Sequence, residues 1–151
     1  MISIKNTLRI ISYWPPFLAA GISVKEYDLE KGYIVSKLKR TPFNGNAFGT
    51  HFGGSLYAMC DPWYVFLAIH SLGKKYIVWD IEAQIKYKRA TKDPVYARFD
   101  LSKKDVEKIK LEAKGNNKVF SEFSTEIRNE RGDTIAEVKK TIYVRRKIKS
   151  F

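Results

Sequence analysis

Asp61 stands where a carboxylate is out of place. From Thr41 to Gly73, thirty-three residues, the chain has no lysine or arginine and no other acid. A carboxylate among apolar neighbours is costly unless it is partnered or used, so Asp61 is a candidate general base or nucleophile. It is preceded by Asn44-Gly-Asn-Ala-Phe-Gly-Thr-His-Phe-Gly-Gly-Ser-Leu-Tyr-Ala-Met-Cys, a glycine-containing loop running into an apolar segment. The first backbone N–H groups of a helix have no intrahelical partner and carry partial positive charge, and Gly53 and Gly54 let a ligand approach them closely. Those groups suit an oxyanion. Asn46 is a candidate hydrogen-bond donor to substrate or water, and Ser55 a candidate substrate contact. His51 either polarises a substrate or is a hydrogen-bonded structural residue. Asp61-Pro62 also has a second reading, because aspartate is a favoured N-cap and proline a favoured first helical residue; the helix would then start at Asp61, whereas the catalytic reading requires a kink near Ala58. Cys60, amid apolar residues, and His70, with no acid close in sequence, carry no such chemistry.

The elements that must position these residues are legible from periodicity. Ile4, Leu8 and Ile11 fall at helical spacing, and Pro15-Pro16 ends that helix because the residue before a proline avoids the α region. Ile22–Leu29 and Tyr33–Arg40 flank Glu30-Lys31-Gly32 and predict a hairpin. From Gly53 to Ser71, Leu56, Met59, Cys60, Trp63, Phe66 and Leu67 recur at three- and four-residue intervals, which predicts one long apolar helix. Ile77, Trp79, Ile81, Ala83, Ile85 and Tyr87 alternate with Asp80, Glu82, Gln84, Lys86 and Lys88, so a long strand is predicted with its apolar set on the core and its charged set in water. Lys92-Asp93-Pro94 then turns the chain into Val95–Leu101 as a second hairpin. Ser102-Lys-Lys-Asp105 has capping-box spacing before a short helix that Gly115 stops. Two last strands carry Val119–Ile127 and Ala136–Val144. A mid-chain helix apolar on most sides must be covered on most sides, so the expected fold class is α+β: an antiparallel sheet of about six strands wrapped around a long central helix, with an N-terminal helix and a short extra helix. Trp79, Tyr87 and Phe99 are read as an exposed apolar face that favours assembly.

The chain of 151 residues fits a single domain over 1–151, and its 44% hydrophobic content excludes global disorder. One cysteine and two histidines exclude an internal disulfide and a four-ligand zinc site built without carboxylates, so a reduced, metal-free cytoplasmic protein is expected. The longest apolar candidate, Tyr13 to Ile22, carries two prolines and falls short of the roughly 18 residues a spanning helix needs, and no signal-peptide pattern precedes it. The net charge of +12 favours an anionic partner: nucleic acid, anionic lipid, a phosphate-bearing metabolite or an acidic carrier protein. Lys86, Lys88 and Arg89, and the stretch Arg145-Arg-Lys-Ile-Lys149, are candidates for phosphate contact.

The run Gly53-Gly-Ser-Leu-Tyr-Ala-Met-Cys-Asp61 resembles a motif of the hot-dog fold acyl-CoA thioesterases, in which a carboxylate follows nine residues after the histidine of a His-Gly-Gly triplet. The strand ending Tyr87-Lys-Arg-Ala-Thr, followed by Pro94-Val-Tyr-Ala, is similar to that family's next hairpin. Phe52 stands where the motif has histidine, with His51 one residue earlier. The resemblance implies a hot-dog fold and hydrolysis of an acyl-CoA or similar acyl thioester. It further implies a carbonyl polarised at Gly54 and Gly53, Asp61 activating water or attacking directly, and a homodimer or homotetramer whose site forms between subunits. No cofactor is implied beyond the CoA moiety of the substrate. A non-catalytic binder of acyl or CoA-like ligands is the alternative. Nucleic-acid binding, the third reading, would show affinity falling steeply with salt.

Overall fold

Two adjacent prolines stop one helix and start the next. In the computed structural model, which describes residues 3–147, α1 (Ile4–Ile10) runs into a 3-10 turn (Ile11–Tyr13), and Trp14 turns extended at φ −63°, ψ 130° before Pro15. Proline's fixed φ and missing N–H suit the first turn of a helix, so α2 (Pro15–Ala20) begins there; the sequence pattern predicted the stop and not the restart. Gly21 ends α2 at φ 77°, where a Cβ would lie 2.4 Å from the Lys39 carbonyl oxygen.

β1 (Ile22–Asp28) and β2 (Tyr33–Leu38) pair antiparallel as predicted, across a turn in which Asp28 Oδ1 accepts from the backbone N–H groups of Glu30 and Lys31. The predicted long helix is divided into α3 (Gly53–Ala58) and α4 (Trp63–Leu72). Pro62 has no N–H and its ring blocks the preceding turn, so the helical ladder cannot run through it. The Met59 carbonyl faces two side-chain donors at the break, Ser36 Oγ at 2.8 Å and Trp63 Nε1 at 2.6 Å. Trp63, wholly buried, is clamped there by Phe17, Phe66 and Phe99. Asp61 does not cap α4: Pro62 holds the N-cap position, and no side chain bonds to the helix start.

The remaining elements are β3 (Tyr76–Tyr87), β4 (Val95–Asp100), α5 (Lys103–Glu112), a 3-10 turn (Lys114–Asn116), β5 (Lys118–Asn129) and β6 (Thr134–Arg146). The capping box forms as read, with Ser102 Oγ accepting from the Asp105 N–H and Asp105 Oδ2 from the Ser102 N–H. All six strands make one antiparallel sheet in the order β1-β2-β4-β5-β6-β3. The second predicted hairpin is therefore absent: β3 pairs with β6 at one edge, while β4 lies between β2 and β5. The inward side chains of β4 explain its place. Val95, Ala97 and Phe99 are almost wholly buried, with the Phe99 ring 5.3 Å from Tyr64 of α4, so Phe99 belongs to the core and not to an exposed face. Stacking of Tyr64 on Phe123 of β5 (4.8 Å) fixes α4 against the other half of the sheet.

β3 changes phase part-way along. Asp80 faces Ile142 and Glu82 faces Thr141, which leaves Ile81 as the extra residue of a β-bulge. Before it, Val78 and Asp80 turn toward the helices; after it, Ala83 and Ile85 do. Ile81, which the alternation places with the core set, is instead 51% exposed, Trp79 and Tyr87 are exposed as the assembly reading expects, at 65% and 55%, and Asp80, expected in water, is turned inward.

Candidate active site

The loop between β2 and α3 is shaped by its own asparagines. Asn44 donates to the carbonyls of Ala20 and Lys39 and accepts from the Thr41 N–H. Asn46 Oδ1 accepts from the N–H groups of Phe48 and Thr50, and its Nδ2 donates to Thr50 Oγ1 and the His51 carbonyl. All four bonds an asparagine side chain can make are thus used within the loop, so Asn46 shapes the site and is not free to donate to substrate. His51 is buried, with its Nε2–H donating to the Asp93 carbonyl at 2.8 Å and its N–H bonded to Thr91 O. Because the acceptor is a carbonyl, Nδ1 is the unprotonated nitrogen, and it is buried without a partner. Burial pushes the imidazole below its usual range, more than the Asp93 carbonyl raises it. His51 is thus a neutral histidine held to the Asp93 carbonyl on the wall of the loop cavity.

Gly53 and Gly54 open α3 with N–H groups that find no acceptor among the described residues. Tyr87 donates its hydroxyl to the Gly53 carbonyl at 3.0 Å, and a Cβ on Gly53 would meet that phenol at 3.2 Å. Ser55 is buried in the first turn. A cavity of about 370 Å³ collects Asn46, His51, Gly53, Tyr87, Lys88 and Arg89, so the structure brings most of the sequence-predicted loop residues to one place. Lys88 pairs with Glu137 at 3.1 Å and Arg89 with Asp133 at 3.0 Å, both at the surface. Lys86 is exposed on β3, and Ile148 and Lys149 of the basic stretch lie outside the described residues.

Asp61 lies elsewhere. It borders an apolar cavity of about 590 Å³ beneath the N-terminal helices, lined by Ile10, Ile11, Trp14, Phe17 and Phe66. It also borders a second of about 550 Å³ between α4 and β3, which has Lys74 and Lys147 on its wall. It does not line the loop cavity of its own chain. Its Oδ1 accepts from Lys140 Nζ at 3.1 Å, and the same ammonium reaches Asp80 Oδ2 at 3.1 Å. Lys140 is 4% exposed. Burial opposes its charge, but Asp61 and Asp80 outweigh burial and hold the ammonium above its usual range. Burial pushes the Asp80 carboxyl up to about 6, and the neighbouring Asp61 carboxyl adds to the rise. Periodicity missed both partners. Lys140 left a signal, since it occupies the inward phase of β6 between Val138 and Ile142, a position where a lysine needs a reason. Asp80 left none, because the bulge that turns it inward is not visible in the alternation.

The sequence matches a domain family of unknown function, DUF4442, over residues 6–144. The chain belongs to the DUF4442 family. No curated protein matches this DUF4442 chain in sequence. Among solved structures it superposes on a Pseudomonas aeruginosa protein of unknown function described as a probable thioesterase, with a TM-score of 0.81 at 17% identity over 95% of this chain and 96% of that one. A Haemophilus influenzae thioesterase gives 0.69 at 15% identity over 97% and 92%. A hypothetical thioesterase of Streptococcus pneumoniae, solved with coenzyme A, gives 0.62 at 15% identity over 91% and 98%. At these identities the likeness is one of fold: this DUF4442 protein has the hot-dog fold of thioesterase-like proteins. No helix among its described residues is long and apolar enough to cross a membrane.

Proposed function

We propose that this protein hydrolyses an acyl-CoA or similar acyl thioester at a site completed by two copies of the chain. The observation that carries the reading is the position of Asp61, a carboxylate held by a buried lysine where two apolar cavities meet. Cavities of about 590 and 550 Å³ fall in the range that takes small ligands, and their walls suit an acyl group. Asp61 takes a proton from water as the oxygen attacks the thioester carbonyl carbon, or attacks that carbon itself. The unpaired N–H groups of Gly53 and Gly54 meet the negative charge that develops on the carbonyl oxygen. Because Asp61 and the Gly53 loop do not share a cavity within one chain, the reading pairs Asp61 of one copy with the loop of another, in a homodimer or homotetramer. Trp79 and Ile81, exposed on the edge strand β3, offer apolar surface for that contact. Lys86, Lys88 and Arg89 supply cations for the phosphates of CoA or a carrier-protein arm.

The test is thiol release from short, long and aryl acyl-CoAs by the wild type and by Asp61→Asn. Turnover lost in the variant at unchanged fold and oligomeric state is expected; equal turnover in both refutes a role for Asp61. A non-catalytic acyl or CoA binder is the second reading, favoured by Phe52 beside the glycines and by a His51 ring already bonded to Asp93. Calorimetric binding of acyl-CoA with no thiol release from any substrate would select it.

A further inference from the structure

We propose that Asp61 does not act alone: Asp61 and Asp80, bridged by Lys140, work as one proton-carrying unit in which Asp80 shares the proton taken from water and Lys140 sets the spacing of the two carboxyls. The proposal rests on the hydrolytic reading above.

Three separate elements contribute to this arrangement. The break between α3 and α4 frees Asp61 from the helix, the bulge at Ile81 turns Asp80 inward, and the inward phase of β6 brings Lys140 between them. One ammonium at 3.1 Å from each carboxylate leaves the trio with one net negative charge. Asp80 Oδ1 is buried with no hydrogen-bond donor, and both Asp61 and Asp80 border one small cavity beside the ammonium they share. Two carboxylates gathered on one ammonium repel when both are ionised, and a proton taken up by the pair relieves that repulsion.

The other titratable groups about the trio are Tyr57 of α3, Cys60 at the break and Glu82 beyond the bulge, none of them cationic. Tyr13 borders the 590 Å³ cavity; Lys74, Tyr76 and Lys147 border the 550 Å³ cavity. Lys140 is therefore the only cation that the described residues bring into contact with the pair. The rise of the Asp80 carboxyl to about 6 agrees with this, because a general base works best with a pKa near the working pH.

The proton count closes over a full turnover. As the water oxygen bonds to the carbonyl carbon, the carbonyl π electrons move to oxygen and the water proton passes to the carboxyl pair. When the tetrahedral intermediate collapses, the C–S bond breaks with its electron pair on sulfur, and the pair returns the proton to the departing thiolate. Thioester and water become acid and thiol, and the pair regains its starting charge. Lys140 keeps its proton throughout and acts as a positioning residue.

The experiment combines two readouts on wild type, Asp80→Asn and Asp80→Glu, with native fold verified for each. Protein labelled with carbon-13 at the aspartate carboxyls is titrated by NMR, and the pH profile of kcat/KM is measured with an acyl-CoA that the wild type hydrolyses. A carboxyl titrating near pH 6 in the wild type and absent from Asp80→Asn is expected. The acid limb of kcat/KM should leave pH 6 in Asp80→Asn, with kcat falling by about 100-fold and KM little changed, and Asp80→Glu should restore part of both. An Asp80 carboxyl that titrates in the ordinary aspartate range, near 4, overturns the proposal whatever the activity. An unchanged acid limb in Asp80→Asn also overturns it. Titration near pH 6 with no thioester turned over overturns the hydrolytic reading, and with it the pair's part in hydrolysis, while the shared proton itself stands.

Discussion

The Met59 carbonyl, where α3 gives way to α4, offers a quantitative test of what holds Asp61 outside the helix. Met59 is wholly buried, so water does not reach its carbonyl, and Ser36 Oγ and Trp63 Nε1 are the two side-chain donors that satisfy it. Removing one donor loses one bond but leaves the carbonyl paired. Ser36→Ala should therefore cost about 1 kcal/mol. Trp63→Phe should cost about 2 kcal/mol, since it also gives up packing volume against Phe17 and Phe99 while keeping an aromatic ring. The double variant is different in kind, because the carbonyl is then buried with no donor, a further penalty of about 1–3 kcal/mol. The sum of the singles is about 3 kcal/mol, and the double should lose about 4–6 kcal/mol. Urea unfolding followed by far-ultraviolet circular dichroism at one fixed protein concentration measures all four proteins, because tryptophan fluorescence changes with the substitution. Additivity within about 0.5 kcal/mol would refute the view that these two donors jointly stabilise the break.

Two further outcomes follow from burial. His51 is held below its usual pKa, so between that lowered value and 6.5 the unfolded chain binds a proton that the folded chain does not, and stability falls as pH drops through 6.5. The stability difference between wild type and His51→Gln, measured from pH 7.5 to 5, should shrink toward low pH with a slope approaching about 1.4 kcal/mol per unit; parallel curves would refute the neutral buried assignment. Cys60, fully buried with its thiol pushed up to about 12, should not react with a chromogenic disulfide reagent until the protein unfolds, and prompt labelling at neutral pH would contradict its placement.

Most of the architecture was legible because it repeats locally. The six strands carry period-two patterns, the Ser102 box spells out a helix start, and the apolar residues from Leu56 to Leu72 announce the helical core. What failed did so where a distant contact or a single backbone event decides. The partner of β3 could not be read from its own residues, because Lys92-Asp93-Pro94 looks like a hairpin turn whether the next strand pairs there or crosses to the sheet centre. Asp61 was legible as an acid in an uncharged segment, but its ligand is Lys140, 79 residues away, and no spacing rule reaches that far. Asn46 and His51 stand out in the sequence by residue type alone; the structure uses all the side-chain bonds of Asn46 within the loop and ties the His51 Nε2–H to the Asp93 carbonyl.

The bulge in β3 has a consequence for how relatives of this chain are compared. A strand without the extra residue keeps one phase from end to end, so an acid that is to reach the lysine of β6 must then sit an even number of places before the residues equivalent to Ala83 and Ile85, whereas Asp80 sits three places before Ala83. Aligned column by column, such a chain would seem to have lost Asp80, although its carboxyl stood one place away. The strand is two half-sentences joined by Ile81, and each half has to be aligned in its own frame before the presence or absence of the acid means anything.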